Sequence, residues 1–329
     1  MLCNQLSIAN PATPAAIKPP PIVCDPTGVK LPNFFIVGAG KAGTTSLYHY
    51  LRAHPQIYMS PIKEPCYFAQ DLRARHSMDL GPILRGETNE PLMWAPLTSW
   101  DDYLSLFKGA AEEVVIGECS QPYLPSTRAA SEIAAVVPTA RILIVLRDPI
   151  ERAFSHYLMD LRNGEVSGSF LEEVMRDKTA RYPVAMRRPY VEFGLYYEQV
   201  KRYFEVFPRD QVLVLLHKEY KLNIDAFVSR ICRFLGVDDT VHWDATRKYN
   251  VAGIPRVKLL NYALARSGVK AFLSRTWPTK SKPIFKRAFY HERVPRLLAQ
   301  DRECLKRVFR DDILKLQQLL DMDLSDWLV

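Results

Sequence analysis

The sequence predicts an α/β fold in which helices flank a mostly parallel central sheet and the C-terminal region is helical. Short apolar runs such as Phe34–Val37 and Ile142–Leu146 are typical of strands that are buried on both faces. Segments with helical spacing alternate with these runs, as they do in parallel sheets with helical crossovers. After Val257 the pattern is helical only.

Three further apolar runs are predicted to be strands, namely Gln56–Met59, Val114–Ile116 and Val212–Leu216. The carboxyl ends of parallel strands meet at one edge of a sheet, and ligands bind in open α/β folds beyond that edge. The residues that directly follow each strand are therefore the first candidates for a functional site.

The predicted helices begin and end at local signals. The clearest follows Ile142–Leu146, where Asp148 is the N-cap, Pro149 takes the first helical position, and Glu151 completes a capping box. The others are Thr44–His54, Ser126–Val137, Tyr196–Phe207 and Ala226–Leu235, the last ending at Gly236.

Proline separates the beginning of the chain from the rest. Six prolines lie within the first 30 residues, and proline removes backbone donors and fixes extended geometry. We expect residues 1–30 to form an arm and residues 31–329 to form a single domain.

Composition excludes several classes of protein. The 329 residues carry 44 Lys and Arg against 36 Asp and Glu, a net charge of +8, and 48% are hydrophobic, which excludes a disordered chain. The sequence contains neither a transmembrane-length apolar run nor a signal peptide, and its six cysteines show no zinc or disulfide pattern. We expect a cytoplasmic protein with reduced thiols that binds anionic small ligands and neither nucleic acid nor membrane.

A glycine-rich loop joins the first strand to the first helix. The loop, Gly38-Ala39-Gly40-Lys41-Ala42-Gly43-Thr44-Thr45-Ser46, places backbone N–H groups at a helix N-terminus, where anions bind. It is not a Walker A loop, because Thr44 stands where that motif has lysine, and the lysine is displaced to Lys41. Its glycines have the spacing of the dinucleotide fingerprint, but the second predicted strand, Gln56–Met59, does not end in the acidic residue that completes it. The alternative is a turn that only connects the two elements.

Arg147 is the second candidate anchor for an anion. It follows the strand Ile142–Leu146 directly, and Ser155 lies two turns into the next helix. A guanidinium at the carboxyl edge of the sheet suits a phosphate. Alternatively, Arg147 pairs with Asp148 or Glu151 on the surface.

These residues resemble a known family. The segment from Phe35 to Leu47 is similar to the 5′-phosphosulfate loop of sulfotransferases that use 3′-phosphoadenosine 5′-phosphosulfate (PAPS), and Ile144 to Ser155 is similar to their 3′-phosphate motif. The resemblance implies the P-loop-like sulfotransferase fold, nearest to the heparan-type and bacterial carbohydrate or small-molecule branch. It also implies that PAPS is the co-substrate and PAP the product.

The resemblance also implies roles for individual residues. Lys41 would stabilise the leaving group, and Glu64, in a Lys-Glu-Pro segment similar to that of heparan 3-O-sulfotransferases, would be the base. Cys66 and Cys119 stand where that branch has histidine and lysine, so the sequence does not imply a heparan-like acceptor. The expected donor-binding residues are Lys41, Ala42, Gly43, Thr44, Thr45, Ser46, Arg147, Ser155, Tyr196 and Arg256, although Arg256 could equally be a solvated arginine after a turn.

Sulfuryl transfer moves a group with less charge than a phosphoryl group, so no divalent metal is expected. The expected acceptor is a hydroxyl or amine of a small molecule or glycan, and a homodimer stays an open alternative. If Glu64 is not the base, His76 or His156 is the next candidate. Two rival functions remain, a P-loop nucleotide kinase and a nonenzymatic nucleotide-binding module.

Overall fold

A computed structural model describes residues 17–72, 93, 95–179, 189–241, 254–267, 269, 290–291 and 295–329. Its centre is a parallel sheet in the order β2-β3-β1-β4-β5. The strands are β1 (Phe34–Gly38), β2 (Ile57–Met59), β3 (Val115–Cys119), β4 (Arg141–Leu146) and β5 (Val212–Leu216). The predicted fold class is confirmed, and each predicted strand is present to within a few residues.

The first strand lies in the middle of the sheet. All five residues of β1 are buried, as their apolar character predicts. Phe34 pairs with Gly117 on one side and with Arg141 on the other, and the register against β4 shifts between Ile36 and Gly38. The chain therefore leaves β1 between two neighbouring strands, at the edge where ligands bind.

Helices surround this sheet. They are α1 (Thr44–Arg52), α2 (Trp100–Ser105), α3 (Ala129–Val136), α4 (Pro149–Asn163), α5 (Phe170–Thr179), α6 (Tyr196–Val206), α7 (His217–Leu222), α8 (Ile224–Leu235), α9 (Lys258–Arg266) and α10 (Ala299–Leu320). Helix α3 begins three residues after the predicted start, because the hydroxyl of Ser126 accepts the N–H groups of Arg128 and Ala129.

The start of α4 follows its sequence signals except at one residue. Asp148 Oδ1 accepts the N–H groups of Ile150 and Glu151 at 2.8 and 3.1 Å, as expected for an N-cap. The predicted role of Glu151 in a capping box is wrong, because its carboxylate pairs with Arg147 at 3.0 Å. Helix α4 ends at Gly164, whose φ of 81° suits glycine.

The C-terminal third is not purely helical, contrary to the sequence prediction. The strand β6 (Ile254–Pro255) pairs in antiparallel register with β7 (Tyr290–His291). Two-residue strands are too short to show a period in the sequence. Helix α10 then packs back on the sheet domain, and its Asp312 accepts the N–H groups of Tyr196 and Tyr197 at the start of α6.

Candidate active site

The strand order gathers the candidate residues at one edge of the sheet. The glycine-rich loop follows β1, Arg147 follows β4, and Ser120 and Gln121 follow β3. Glu64 lies five residues after the end of β2, and its N–H donates to the carbonyl of Cys119 at 2.8 Å. Residues distant in sequence therefore meet where parallel strands end.

The glycine-rich loop leaves the start of α1 open to a ligand. The N-cap is Gly43, which has no side chain to occupy the first N–H groups, and its φ of 88° favours glycine. A Cβ on Gly43 would lie 3.3 Å from the ring of His217. Thr44 is buried, and Thr45 and Ser46 are half-buried in the first turn. This geometry is that of an anion site at a helix N-terminus.

Lys41 lies at the centre of the site. Its carbonyl accepts a hydrogen bond from Arg147 Nη1 at 3.1 Å, and its Nζ lies 3.5 Å from the sulfur of Met159. Burial, followed by the charge of Arg162, lowers the pKa of Lys41 to about 8, although Asp160 opposes the shift. The ammonium is therefore charged at neutral pH yet poised to give up a proton.

Arg147 joins the loop to a large cavity. Besides its bond to Lys41, it donates from Nη2 to Glu151 Oε2 at 3.0 Å, and 17% of its side chain is exposed. The pairing with Glu151 that the sequence left open is thus present, and Arg147 also contacts the loop. Asp148 is held by Arg302 Nη2 at 2.8 Å.

Lys41 and Arg147 line a large cavity, which we call the outer cavity. Its volume is about 680 Å³, and it is lined by Ser155 and Met159 together with five cations and two carboxylates. The cations are Lys41, Arg147, Arg162, Arg296 and Arg302, and the carboxylates are Asp148 and Glu151. The excess of positive charge fits a ligand with more than one phosphate or sulfate group.

Sequence reasoning missed three of these arginines. Arg162 follows Ser155 by seven residues on α4, so helical spacing could have placed both on one face. Arg296 and Arg302 come from the distant C-terminal segment, and only the fold shows that they line the cavity.

Glu64 is buried beside the loop. Its side chain is 9% exposed, and Oε1 accepts hydrogen bonds from Lys63 Nζ and, at 2.7 Å, from Gln121 Nε2. Lys63 is fully buried, so the ion pair is an interior one rather than the surface pair that the sequence left open. Gln121 also lies close to the loop, because a Cβ on Gly40 would be 2.5 Å from its Oε1.

Left-handed backbone marks this part of the chain. Lys41, Glu64 and Cys66 have φ values of 71°, 70° and 51°, which non-glycine residues adopt rarely. Such conformations cost about 1–3 kcal/mol each and concentrate at functional sites. The surrounding structure therefore holds the two candidate catalytic residues in specific orientations.

The buried carboxyl group of Glu118 is connected to the segment that contains Glu64 through Ser120. Glu118 on β3 accepts hydrogen bonds from Ser120, Tyr103 and Tyr123 at 2.5, 2.7 and 3.1 Å. Ser120 in turn accepts the N–H of Cys66 at 3.0 Å. Burial raises the pKa of Glu118 to about 7, although the three hydrogen bonds oppose the shift.

The cysteines of the site are structural. Burial raises the pKa of the Cys119 thiol to about 12 and that of the Cys66 thiol well above its usual range. Both therefore stay protonated, and neither is an activated nucleophile.

The remaining predicted residues lie in three different environments. Ala42 is buried within the loop, and Tyr196 is buried in the core, with its ring 6.3 Å from that of Trp327. Arg256 lies at the surface between β6 and α9. Most of the loop preceding Arg256 lies outside the described residues, as does His76, whereas His156 lies on α4 at 3.5 Å from Arg152.

A second, smaller cavity is also lined by Lys41. We call it the inner cavity; its volume is about 120 Å³, and Lys41 and Met159 line both cavities. Gln121, His156 and Phe193 also line it.

Two general features complete the description. Among the described residues, none of the helices combines the length and apolar character needed to cross a bilayer. Within the same part of the chain, no three side chains of the metal-binding types converge on one point.

Comparisons with known proteins agree with the geometry. The model of the sulfotransferase family matches residues 32–241. The solved structure of a sulfotransferase from Alicyclobacillus acidocaldarius is 30% identical, with a TM-score of 0.65 over 90% of this chain and 98% of that one.

Curated relatives are more distant. Human carbohydrate sulfotransferase 15 is 26% identical over 263 residues, which cover 63% of this chain and 44% of that protein. Human bifunctional heparan sulfate N-deacetylase/N-sulfotransferase 2 is 25% identical over 226 residues, covering 67% and 24%. The chain thus spans less than half the length of these two relatives.

Proposed function

The chain belongs to the sulfotransferase family, and on this premise we propose that it transfers a sulfonate group from PAPS to a hydroxyl or amine of a small molecule or glycan. The observation that carries the proposal is the direct bond between its two anion anchors. Arg147 Nη1 donates to the carbonyl of Lys41, and both residues line the outer cavity with Ser155. A donor with phosphate groups at its 3′ and 5′ positions needs two such anchors side by side.

The donor supplies an activated sulfonate with a phosphate leaving group. The loop N–H groups from Ala42 to Ser46 would bind its 5′ end, and Arg147 and Ser155 its 3′-phosphate. A phosphate on Arg147 would compete with Glu151, whose side chain is 43% exposed and free to turn toward solvent. Tyr196 and Arg256 stay predictions as donor contacts.

Lys41 would act on the leaving group. Negative charge develops on the departing oxygen, and a fixed cation in a site of low dielectric stabilises that charge most strongly. Because burial lowers its pKa to about 8, Lys41 could also donate a proton to this oxygen near neutral pH. The cation that the reaction needs is thus a side chain, so we expect no requirement for divalent metal.

Glu64 would accept the proton of the attacking group. Its carboxylate is held by Lys63 and Gln121 through Oε1, and within the part of the chain that the structure describes these bonds leave Oε2 to receive a proton. Its buried position, beside the loop that carries Lys41, suits in-line attack on a sulfonate bound there.

Several broader properties belong to the same proposal. We propose a single domain over residues 31–329 and a cytoplasmic location. The absence of disulfides among the five cysteines of the described residues supports a reducing compartment. The names of the curated relatives favour a glycan among the candidate acceptors.

Calorimetry and a transfer assay test the proposal. We expect PAP to bind without Mg²⁺ and far more tightly than MgATP, and we expect labelled sulfonate from PAPS to reach an acceptor in excess EDTA. Tight MgATP binding, or activity that EDTA abolishes and Mg²⁺ restores, would favour a kinase. PAP binding without transfer to any of a broad panel of sugars, phenols, alcohols and amines would favour a nonenzymatic module.

A further inference from the structure

A cluster of hydroxyl groups surrounds the carboxylate of Glu118 on β3. Its Oε1 accepts a hydrogen bond from the hydroxyl of Ser120 at 2.5 Å, and its Oε2 accepts those of Tyr103 and Tyr123 at 2.7 and 3.1 Å. All four residues are fully buried. A buried polar group is costly unless it is paired, so the direction in which each hydroxyl donates fixes this cluster.

Two of these hydroxyls also hold the backbone of residues 64–68, which we call the base segment. Ser120 Oγ accepts the N–H of Cys66 at 3.0 Å, and the hydroxyl of Tyr123 accepts the N–H of Phe68 at 3.3 Å. Each of the two hydroxyls thus accepts from the base segment and donates to the carboxylate.

The base segment needs this support because its backbone is strained. Glu64 and Cys66 have φ values of 70° and 51°. Residues persist in such conformations only where the surrounding structure holds them. Glu118 belongs to that surrounding structure, although it does not contact Glu64 in the part of the chain that the structure describes.

The ionised form of Glu118 is the form that satisfies all three hydroxyl donors. A carboxylate only accepts hydrogen bonds, whereas a protonated carboxyl group must donate to one of the three hydroxyls. That hydroxyl cannot donate back, so its own proton loses its acceptor. Because two of the three hydroxyls hold the base segment, protonation of Glu118 weakens the support of that segment.

We propose, on the basis of the function proposed above, that Glu118 is a positioning residue, whose ionised carboxylate fixes the hydroxyls of Ser120 and Tyr123 and through them the base segment that orients Glu64. Glu118 would touch neither donor nor acceptor. It would affect the rate only through the direction in which the Glu64 carboxylate is held.

Glu118 is the group of this cluster that titrates near neutral pH, because burial raises its pKa to about 7. The charged side chains of the base segment and its neighbour, Glu64 and Lys63, pair with each other. Burial raises the pKa of the other titratable groups around Glu118 so far that they stay neutral there, and these groups are Cys66 in the base segment, Tyr103 on α2, Cys119 and Tyr123 on and after β3, and Tyr203 on α6.

The first test compares wild type with Glu118→Gln at two pH values, using labelled PAPS and the panel member that is sulfated fastest. The amide is neutral and has the shape of the protonated acid, so the variant resembles that form at every pH. We expect its kcat to be about tenfold below wild type at pH 8 and within about twofold at pH 6, with the Kd for PAP unchanged. Titration of Lys41 affects both enzymes and cancels in the ratio.

The second test removes one hydroxyl that connects Glu118 to the base segment. Tyr123→Phe keeps the ring but loses the bonds to Glu118 and to the N–H of Phe68, so kcat should fall at least fivefold at pH 8, with KM within twofold. Tyr58→Phe is the matched control, because its hydroxyl donates to the carbonyl of Leu106 at 2.7 Å, outside the cluster. The control should keep kcat within twofold of wild type.

A double-mutant cycle separates positioning from general damage to the fold. If Glu118 acts through Glu64, adding Glu118→Gln to Glu64→Gln should change the residual single-turnover rate by less than twofold at pH 8. A loss that is merely structural would appear in both backgrounds.

The outcomes separate this inference from the proposed function. If PAP binds and sulfonate is transferred, the inference is overturned by a wild-type to Glu118→Gln ratio that is the same at both pH values, by an equal effect in the Glu64→Gln background, or by a Tyr123→Phe variant that behaves as Tyr58→Phe does; the function then stands. If neither PAP binding nor transfer occurs in the wild type, the proposed function fails and the inference fails with it.

Discussion

At the scale of single side chains, Arg147 makes two contacts, and a bound phosphate would compete with only one of them, the contact with Glu151. The bond to the Lys41 carbonyl orients the guanidinium, and the bond to Glu151 occupies its other nitrogen. This division suggests that the cation is already directed toward the ligand before binding.

Arg147→Ala should therefore weaken PAP binding by about 2–3 kcal/mol, the scale of a lost charge-assisted pair. Arg128→Ala is the control, because Arg128 also pairs with a glutamate four residues later, at the surface. Calorimetric titration with PAP measures both. An affinity of Arg147→Ala equal to that of Arg128→Ala would contradict the assignment.

Glu64→Gln keeps the shape of the side chain but removes its capacity to take a proton. We expect kcat to fall by roughly 10² to 10⁴, and the acidic limb of the pH profile to disappear, whereas the Kd for PAP should hardly change. Single-turnover kinetics with a fixed acceptor measure the effect. A variant that keeps more than about a tenth of the activity would exclude Glu64 as the base, and His156 would be the next candidate.

At the scale of elements, the cap of α4 serves both stability and the site. Asp148 accepts two N–H groups and also pairs with Arg302 from α10, whereas Asn223 at the start of α8 accepts only the N–H of Ala226. Both caps thus accept N–H groups from the first turn of their own helix, whereas Asp148 also forms an ion pair with a residue of another helix.

Asp148→Ala should lower the free energy of unfolding by more than Asn223→Ala, for which we expect about 1 kcal/mol. Asp148→Asn keeps the cap and loses only the charge on the partner of Arg302, so its loss should be smaller than that of Asp148→Ala. Urea denaturation compares the three variants. Equal losses in Asp148→Ala and Asn223→Ala would show that the contact with Arg302 contributes nothing to stability.

The elements also show what sequence can predict. Arg147 directly follows the apolar strand β4, and Lys41 lies three residues after the end of β1, so pattern alone places both at one edge of the sheet. Gln121 and Glu118 lie in no recognisable motif, and their roles arise from contacts with Glu64 and Tyr103 made across the fold. The strand β7 is too short to show a periodic pattern in the sequence. Whether the Glu151 carboxylate completes the capping box or pairs with Arg147 depends on where Arg147 lies. Local sequence signals thus predict where a residue lies in the fold, whereas the residues that its side chain contacts depend on the tertiary structure.

At the scale of the whole molecule, buried carboxyl groups link stability to pH. Burial raises the pKa of Glu118 from its ordinary value of 4.5 to about 7, so between these pH values the native protein keeps a proton that the unfolded chain releases. Its contribution is complete below pH 4.5 and is lost as pH rises toward 7, by at most about 1.4 kcal/mol per pH unit. Burial also raises the pKa of Asp312 to about 6, so this group likewise contributes stability that is lost as the pH rises toward 6.

Glu118→Gln removes this proton and should make stability less dependent on pH. Between pH 5 and 7, the free energy of unfolding of the wild type should fall relative to that of the variant by about 2 kcal/mol. Chemical denaturation at several pH values measures the difference, and Glu132→Gln, at the surface of α3, is the control. Parallel pH curves for wild type and Glu118→Gln would show that Glu118 does not hold its proton in the native state.

The order of the strands has a consequence for how the protein is made. The central strand β1 emerges from the ribosome first, but Phe34 pairs with Gly117 and with Arg141, which is 141 − 34 = 107 residues later. At about 5–20 residues per second, synthesis takes roughly 5–20 s to supply that second neighbour. Throughout this interval, an apolar strand of the nascent chain has an unpaired edge, which is a template for aggregation. The speed of translation between β1 and β4 therefore sets how long this edge stays unpaired.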